Sequence, residues 1–520
     1  MAGQRGGASL HPPGHRRGVP RRDRGRVGAE RRGMSITRNA AYNLVGFTVP
    51  LVLFLVTIPL YIALIGEARY GVLAIVWLVL GLFGMMDFGL GRAATQRIAA
   101  LKNGSEGERR DALGTALASN LVIGGVGALI MAGAAWYIFA QGMKLSDELR
   151  AEALPLVPLM AIGVPVVTTL AIASGALMGR EKFLIVNRIT VTNTSLFQLA
   201  PLAVAWLVGP ELPLLVVAAL AARLLAVFLL LRECRREFGH GPTRWWDSAA
   251  LVAMLKYGGW VTVGGMIGMV LVFSDRFLIG AAIGAVAVTV YAVPLDATRR
   301  IAVIADALAN ALFPRLAVLD KDESARLTRQ AVGALYAIAT PPVAVLIVLA
   351  DPLLRAWLGD DLGARSAPLL QILAIAGYVN IFAKVPYARL QAQGRPDVVA
   401  KIMLAQLPLY LPGLWFALQG YGLTGAAWVY LARNTVDTLA LFIAVERRID
   451  HAAVLAATMA AMVAGAIMLP VLAPIAPLRA MTYAIPVGLI AALAAWLLAP
   501  PRIRDLAIGL LRRAMLLRTG

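Results

Sequence analysis

Apolar residues in this chain come in long runs separated by short polar stretches. The runs cover about 40–65, 70–99, 113–139, 154–178, 183–208, 212–231, 251–273, 277–313, 331–349, 367–391, 398–418, 423–445, 452–472 and 481–498. Runs of about 20 residues match a hydrocarbon layer of ~30 Å crossed by a helix. They are too long, and alternate too rarely, for barrel strands. The pattern predicts an all-α polytopic membrane protein with about fourteen transmembrane helices. The run at 277–313 exceeds one crossing, so it is expected to be tilted, or broken near Pro294.

Composition agrees. Of 520 residues, 59% are hydrophobic and 15% charged. A soluble chain is nearer 45–50% apolar and about a quarter charged. The formal net charge of +20 raises the question of nucleic acid. In a membrane protein, loop arginines facing anionic lipid account for it, so the expected partner is membrane lipid and not nucleic acid.

Those cations are unevenly placed. One set of connections carries Arg97, Lys102, Arg109, Arg110, Arg180, Lys182, Arg232, Arg235, Arg236, Arg244, Arg315, Lys321, Arg326, Arg395, Lys401, Arg447 and Arg448. The alternate set is poorer, with Arg69, Lys144, Arg150, Arg276, Arg355, Arg365 and Arg479. The positive-inside bias puts both termini in the cytosol and makes the span count even. Fourteen fits best, and twelve would require two re-entrant segments.

Residues 1–34 are rich in Arg, Gly and Pro and contain no apolar run. They read as a disordered basic cytosolic tail and not a secretory signal. Met34 is an alternative start, because organised sequence begins at Ser35. A six-helix lobe is expected over 35–232, a cytosolic linker over 233–250, and a second six-helix lobe over 251–448. Helices thirteen and fourteen follow over 449–500, then a basic tail over 501–520. Trp245-Trp246 beside Arg244 reads as an interfacial anchor in the linker. The single cysteine, Cys234, excludes an intramolecular disulfide and a cysteine metal cluster; its arginine neighbours place it in a cytosolic loop.

Two marks recur in the same order in both lobes. Gly179-Arg180 and Gly394-Arg395 each end a span on the basic side. Arg223 and Arg433 each lie mid-span in the hairpin that follows. This suggests parallel six-helix bundles around a central cavity and hence alternating access. Charges within the spans then mark the pathway. Arg223, Arg433, Arg299, Arg300 and Lys384 are the candidate substrate-binding cations. Asp87, Arg92, Asp296 and Asp437 are candidate gate or coupling residues. The ordinary alternatives are a capped helix end for Asp87–Arg92, an i,i+4 pair for Arg433 and Asp437, an inner-surface position for Lys384, and snorkelling for one of Arg299 and Arg300. Excess arginine favours an anionic group such as a phosphate, a diphosphate or an acidic sugar, which guanidinium binds in bidentate fashion. Tyr42, Tyr257, Trp260, Tyr291, Tyr378 and Tyr387 could stack on sugar rings, although aromatic belts at the interfaces are the ordinary use of such residues.

No enzyme site emerges. His11, His15, His240 and His451 show no ligand spacing, and phosphate-binding glycine patterns are absent. The internal connections are too short for a catalytic domain. No metal site or cofactor is expected.

Several stretches carry a family resemblance. They are Asn39-Ala40-Ala41-Tyr42-Asn43, Arg69-Tyr70-Gly71 and Asp87-Phe88-Gly89-Leu90-Gly91-Arg92 in the first half. In the second they are Asp275-Arg276-Phe277-Leu278-Ile279-Gly280, Val290-Tyr291-Ala292-Val293-Pro294, Leu312-Phe313-Pro314-Arg315-Leu316 and Gln391-Ala392-Gln393-Gly394-Arg395. Over roughly 35–450 the chain resembles the polysaccharide transporters, the Wzx-type oligosaccharide flippases of the multidrug/oligosaccharidyl-lipid/polysaccharide superfamily. The resemblance implies two six-helix bundles around a cationic cavity. It implies movement of polyprenyl-diphosphate-linked oligosaccharide (an O-antigen, capsule or exopolysaccharide repeat unit) from the inner to the outer leaflet of the bacterial inner membrane. Coupling to a proton or sodium gradient, and partnership with a polysaccharide polymerase and chain-length proteins, belong to the same expectation. The basic tail at 1–34 departs from the family pattern. An ion-coupled drug exporter, a lipid II flippase and a non-transporting scaffold stay open as alternatives. The exporter should carry a compact acidic site in its first half, and a scaffold has no need of mid-membrane arginines.

Overall fold

A computed structural model of the chain describes residues 51–80, 90–101, 104–239, 268, 270–445, 485–489 and 491–493, without the side chains of Arg92 and Ala93. Among them there is no strand. The helices are α1 (Leu51–Leu80), α2 (Leu90–Ala100), α3 (Glu106–Tyr137), which continues as a π-turn over Ile138–Gly142, α4 (Asp147–Ala153), α5 (Leu156–Met178), α6 (Phe183–Leu207) and α7 (Leu212–Phe238). After these come α8 over 270–282, α9 (Ala285–Ile301), α10 (Val303–Leu316), α11 (Lys321–Val348), α12 (Ala350–Leu358), α13 (Asp360–Ala392) and α14 (Pro396–Val445). By length and composition, seven described helical stretches can cross a membrane. Of the expected segments beyond 445 only 485–489 and 491–493, both helical, are described; the 233–250 linker past Gly239, Trp245-Trp246, Tyr42, Tyr257 and Trp260 lie outside the described residues.

Two of the seven stretches turn back on themselves. In α1, Gly66 takes φ +79°, a conformation closed to most L-residues. Tyr61 and Tyr70 on either side of it have ring centroids 6.4 Å apart, whereas nine residues of straight helix rise ~13.5 Å. In α14, Gly422 (φ 59°, ψ −143°) interrupts the helix. Gln406 then donates to Asp437, 31 residues on, at 2.7 Å. Each is therefore a helical hairpin with a glycine at its tip, and the expected pair of spans at 398–418 and 423–445 corresponds to the two arms of α14.

Three expectations are corrected. The long run at 277–313 breaks at Gly284 and at Ala302, while Pro294 sits buried inside α9. The boundary expected around Ser274–Arg276 does not exist, because α8 runs through it to 282. Arg276 is thus not a loop cation: it is 2% exposed, and Asp275 is fully buried. Cys234 lies within α7, buried, with its thiol 3.6 Å from the Ala173 carbonyl oxygen, so it is not in a loop.

Local signals explain the helix starts. Ser105 and Glu108 form a capping box at α3, each side chain accepting from the other's backbone N–H. Asp320 caps α11 by accepting from the Glu323 N–H. Gly179 closes α5 and Gly394 (φ +72°) follows α13, so both Gly-Arg marks end helices.

The apolar core is distributed asymmetrically. Toward the Gly66, Gly284 and Gly422 turns, one continuous cluster joins α1, α3, α5 and α7 to α8, α9, α11, α13 and α14. Toward the arginine-rich end the core divides. One cluster holds Leu90, Ile98, Leu113, Leu177, Leu230 and Phe238. A separate one holds Ala383, Leu390, Val399 and Leu441. Burial therefore ties the early and late helices together at the turn end, and each set packs within itself at the basic end. Polar contacts at the turn end do the same. Arg365 reaches Glu67 at 2.7 Å, Thr289 donates to the Glu67 carbonyl at 2.6 Å, and Lys144 Nζ donates to the Ala282 carbonyl at 2.6 Å. Gly71 lies against α9 so closely that a Cβ there would overlap the Ala285 carbonyl oxygen.

Candidate functional site

A partly open cavity of about 380 Å³ lies where α1, α6, α8, α9 and α10 converge. Arg276, Arg299 and Arg300 line it, with Asp296 as the carboxylate in its wall. Phe54, Tyr61, Tyr70, Trp77 and Phe197 supply an aromatic side. The volume falls within the ~300–1,000 Å³ range of small-molecule sites. A larger cleft of about 710 Å³ lies at the turn end beside Lys144, Gly284 and Arg365, among mostly apolar residues. Four charged residues line the smaller cavity: Arg276, which is buried, and Asp296, Arg299 and Arg300, which are partly exposed.

The break at Gly284 builds the cluster. It folds α9 back against α8, so that Asp296 receives a hydrogen bond from Arg276 Nη2. The other amino group of Arg276, Nη1, donates to the Ala74 carbonyl on α1 at 3.3 Å. Arg299 lies one turn beyond Asp296, 3.7 Å from its carboxylate. Its neighbour Arg300 stacks on Phe54, 4.7 Å from the ring centroid. Adjacent residues on a helix point about 100° apart, so the two guanidiniums enter the cavity from different sides. Asp275 is buried behind Arg276 and accepts from the Arg276 backbone N–H at 2.7 Å. Three arginines therefore face the cavity against one lining carboxylate. In low dielectric such an excess is costly unless an anion offsets it.

The remaining predicted residues are distributed as follows. Arg223 on α7 is 9% exposed and stacks over Phe197 at 4.3 Å. Its Nε has no hydrogen-bond partner. Phe197, which also packs on Trp77 at 4.7 Å, links it to the cavity wall. Arg433 stacks over Tyr410 at 5.2 Å and donates to the Leu271 carbonyl of α8 at 3.3 Å. No ion pair joins it to Asp437, whose carboxylate accepts from Gln406. Lys384 pairs with Asp306 at 3.1 Å. Asp87 and the Arg92 side chain lie outside the described residues. Tyr291 and Tyr378 are core residues, each at most 1% exposed.

Sequence reasoning missed Arg276 and Asp275 as site residues. Adjacent charges interrupt the hydropathy profile, which reads as a connection. The available signal was that apolar residues continue on both sides without Gly or Pro until Gly280.

A sequence profile described as polysaccharide biosynthesis protein matches residues 63–362, more than half of the chain. The chain belongs to this polysaccharide biosynthesis family. The matched stretch contains all four charged residues of the cavity wall. A proposed O-antigen transporter from Shigella flexneri is 27% identical over 413 residues, spanning 78% of this chain and 97% of that protein. The fold resembles an inward-facing MATE-family multidrug transporter of the MOP superfamily (TM-score 0.65, 14% identity, 78% of this chain and 98% of that one). It equally resembles the lipid II flippase MurJ in an inward closed conformation (TM-score 0.66, 13% identity, 90% and 100%). At these identities the likeness establishes the fold of this family member and leaves its substrate to the site.

Proposed function

We propose that this polysaccharide biosynthesis family member is a flippase for polyprenyl-diphosphate-linked oligosaccharide in the bacterial inner membrane. The observation that carries the reading is the partly open cavity lined by three arginines and one aspartate. Arg276, Arg299 and Arg300 would receive the diphosphate, and charge-assisted bonds from guanidinium to phosphate oxygens are among the stronger polar contacts. The O-antigen transporter relative supports the oligosaccharide part of the substrate.

The mechanism follows from the divided core. With the basic end in the cytosol, the helices are held together at the outer end and part at the inner end. A diphosphate head enters from the inner leaflet, meets the arginines and offsets their repulsion. Outward opening then requires the Glu67, Thr289 and Lys144 contacts to break and the two inner clusters to meet. In this reading the helices before Gly239 and those from α8 to α14 act as the two lobes. Asp296, shared by Arg276 and Arg299, is the coupling candidate, because substrate phosphate would compete with it for both guanidiniums. Arg223 and Arg433, each stacked on an aromatic of the preceding helical arm, hold matching places in the two lobes. The chain performs no covalent chemistry and needs no cofactor. The exporter alternative fits less well, because organic cations would meet a positive wall.

The test is leaflet exchange of radiolabelled polyprenyl-diphosphate oligosaccharide in proteoliposomes, comparing wild type with Arg299→Ala, Arg300→Ala, Arg223→Ala and Arg433→Ala. Exchange in wild type, lost at least tenfold in Arg299→Ala at unchanged folding, is expected. Full exchange in all four variants would remove the cationic cavity from the mechanism. No exchange with any lipid-linked sugar would end the flippase reading.

A further inference from the structure

Helix α6 differs from its neighbours. Its middle reads Asn187, Arg188, Ile189, Thr190, Val191, Thr192, Asn193, Thr194, Ser195, Leu196, Phe197, Gln198, and it is not among the stretches apolar enough to cross on composition alone. At about 100° per residue, Asn187, Thr190, Thr194, Phe197 and Gln198 fall within one arc of about 100°. Phe197 and Gln198 line the arginine cavity. The polar residues of the same arc lie toward the basic end, over about 16 Å of helix at ~1.5 Å per residue. Asn187 and Thr190 are exposed, and Thr194 and Gln198 are half-buried. Gln198 Oε1 is a buried acceptor with no hydrogen-bond partner. The Thr194 hydroxyl donates to the Thr190 carbonyl at 2.9 Å, which leaves its lone pairs free to accept.

The opposite face carries exposed Leu199 and Trp206, which suit lipid, together with exposed Thr192, and Arg188 lies on that side toward the basic end. Asn and Gln amides facing hydrocarbon would go unpaired at a cost of several kcal/mol each, whereas threonine hydroxyls can bond the carbonyl one turn back. A continuous polar arc therefore belongs on water, and the water-accessible route here is the inner gap that leads into the cavity. Neutral donors and acceptors in a row lack the charge that holds a diphosphate tightly. They match the hydroxyl and amide groups of a sugar chain, and Phe197 packed on Trp77 offers a ring face where that row meets the arginines.

We infer that the α6 arc of Asn187, Thr190, Thr194 and Gln198, ending at Phe197 and Trp77, is an oligosaccharide track that reads the sugars while the arginines hold the diphosphate. This rests on the flippase reading and assigns the part of the site that would discriminate one repeat unit from another.

The experiment compares two probes on the full-length chain in nanodiscs. One is the polyprenyl-diphosphate repeat-unit lipid extracted from the native host. The other is the same lipid trimmed enzymically to its first sugar. Wild type is expected to bind the full lipid more tightly. Asn187→Leu/Thr190→Val/Thr194→Val, which keeps size and suits a membrane helix, is expected to lose about tenfold on the full lipid and nothing on the trimmed one. Thr194→Ser, which keeps the hydroxyl, should bind as wild type does. Equal loss on both probes, or no loss on the full lipid, would overturn the track. Wild type holding both lipids equally, with Arg299→Ala weakening both, would overturn the track and leave the flippase reading standing. Wild type binding neither lipid would overturn both.

Discussion

Arg276 donates to Asp296 across the Gly284 break, and the two residues are twenty apart in sequence. The pair joins α8 to α9 at the point where α9 delivers Arg299 and Arg300 to the cavity. Arg276 also holds the Ala74 carbonyl on α1, so one side chain ties together three helical segments of the cavity wall.

Removing it leaves Asp296 without its closest compensating charge. Deleting one partner of a fully buried pair costs about 3–5 kcal/mol; this pair is buried on the Arg276 side only, so its loss falls below that. Arg276→Ala is expected to lower thermal stability in detergent by several degrees and more than Asp296→Asn does, because Asp296 is about a third exposed. Equal and small losses in the two variants would show that the pair is not structural.

Gly71 leaves no room for a side chain where α1 passes α9. Forcing a methyl group into a packed contact costs about 1–3 kcal/mol. Gly71→Ala is expected to loosen the turn end, read as faster maleimide labelling of a cysteine placed at Thr289. Labelling unchanged from the Thr289→Cys background would contradict the close approach.

Arg365 bonds Glu67 at 2.7 Å and Asp361 at 2.6 Å. The groups are partly exposed, so each pair contributes at most about 1 kcal/mol, a severalfold change in a two-state balance. Glu67→Arg is expected to shift the population toward separation at this end, measured by spin-label distances. The double variant Glu67→Arg/Arg365→Glu should restore it in part. Failure of the exchange to restore anything would mean that Glu67 acts through its backbone contact with Thr289.

Arg223 lies over Phe197, with no carboxylate among the described residues paired to it. A planar guanidinium stacks and an ammonium does not do so in the same way. Arg223→Lys is therefore expected to reduce leaflet exchange nearly as much as Arg223→Ala, while both stay folded. Full activity in the lysine variant would reduce the role of Arg223 to bare charge.

Cys234 is 2% exposed within α7. It should resist maleimide in the folded protein and react on denaturation. Rapid labelling of the native chain would place the thiol in a loop after all.

Much was written in the linear sequence. Apolar runs of the right length dictate membrane helices, because hydrocarbon offers backbone groups no other partner. The mid-span arginines and the family motifs were legible for the same reason: a charge or a glycine in such a run is conspicuous. Gly66 and the glycine at 422 could be read as turn points from their place between runs. The sequence did not determine which charges meet. Asp275 and Arg276 resembled a loop because hydropathy averages over neighbours, and only packing shows that α8 continues through them. Asp437 lay one turn from Arg433 and yet bonds Gln406, since the hairpin brings the other arm closer than the next turn. The polar arc of α6 was present in the letters, but its meaning came from Phe197 and Gln198 reaching the cavity. Periodicity and composition are local properties of a chain, whereas ion pairs and cavity walls form between helices, where only the tertiary arrangement sets the distance.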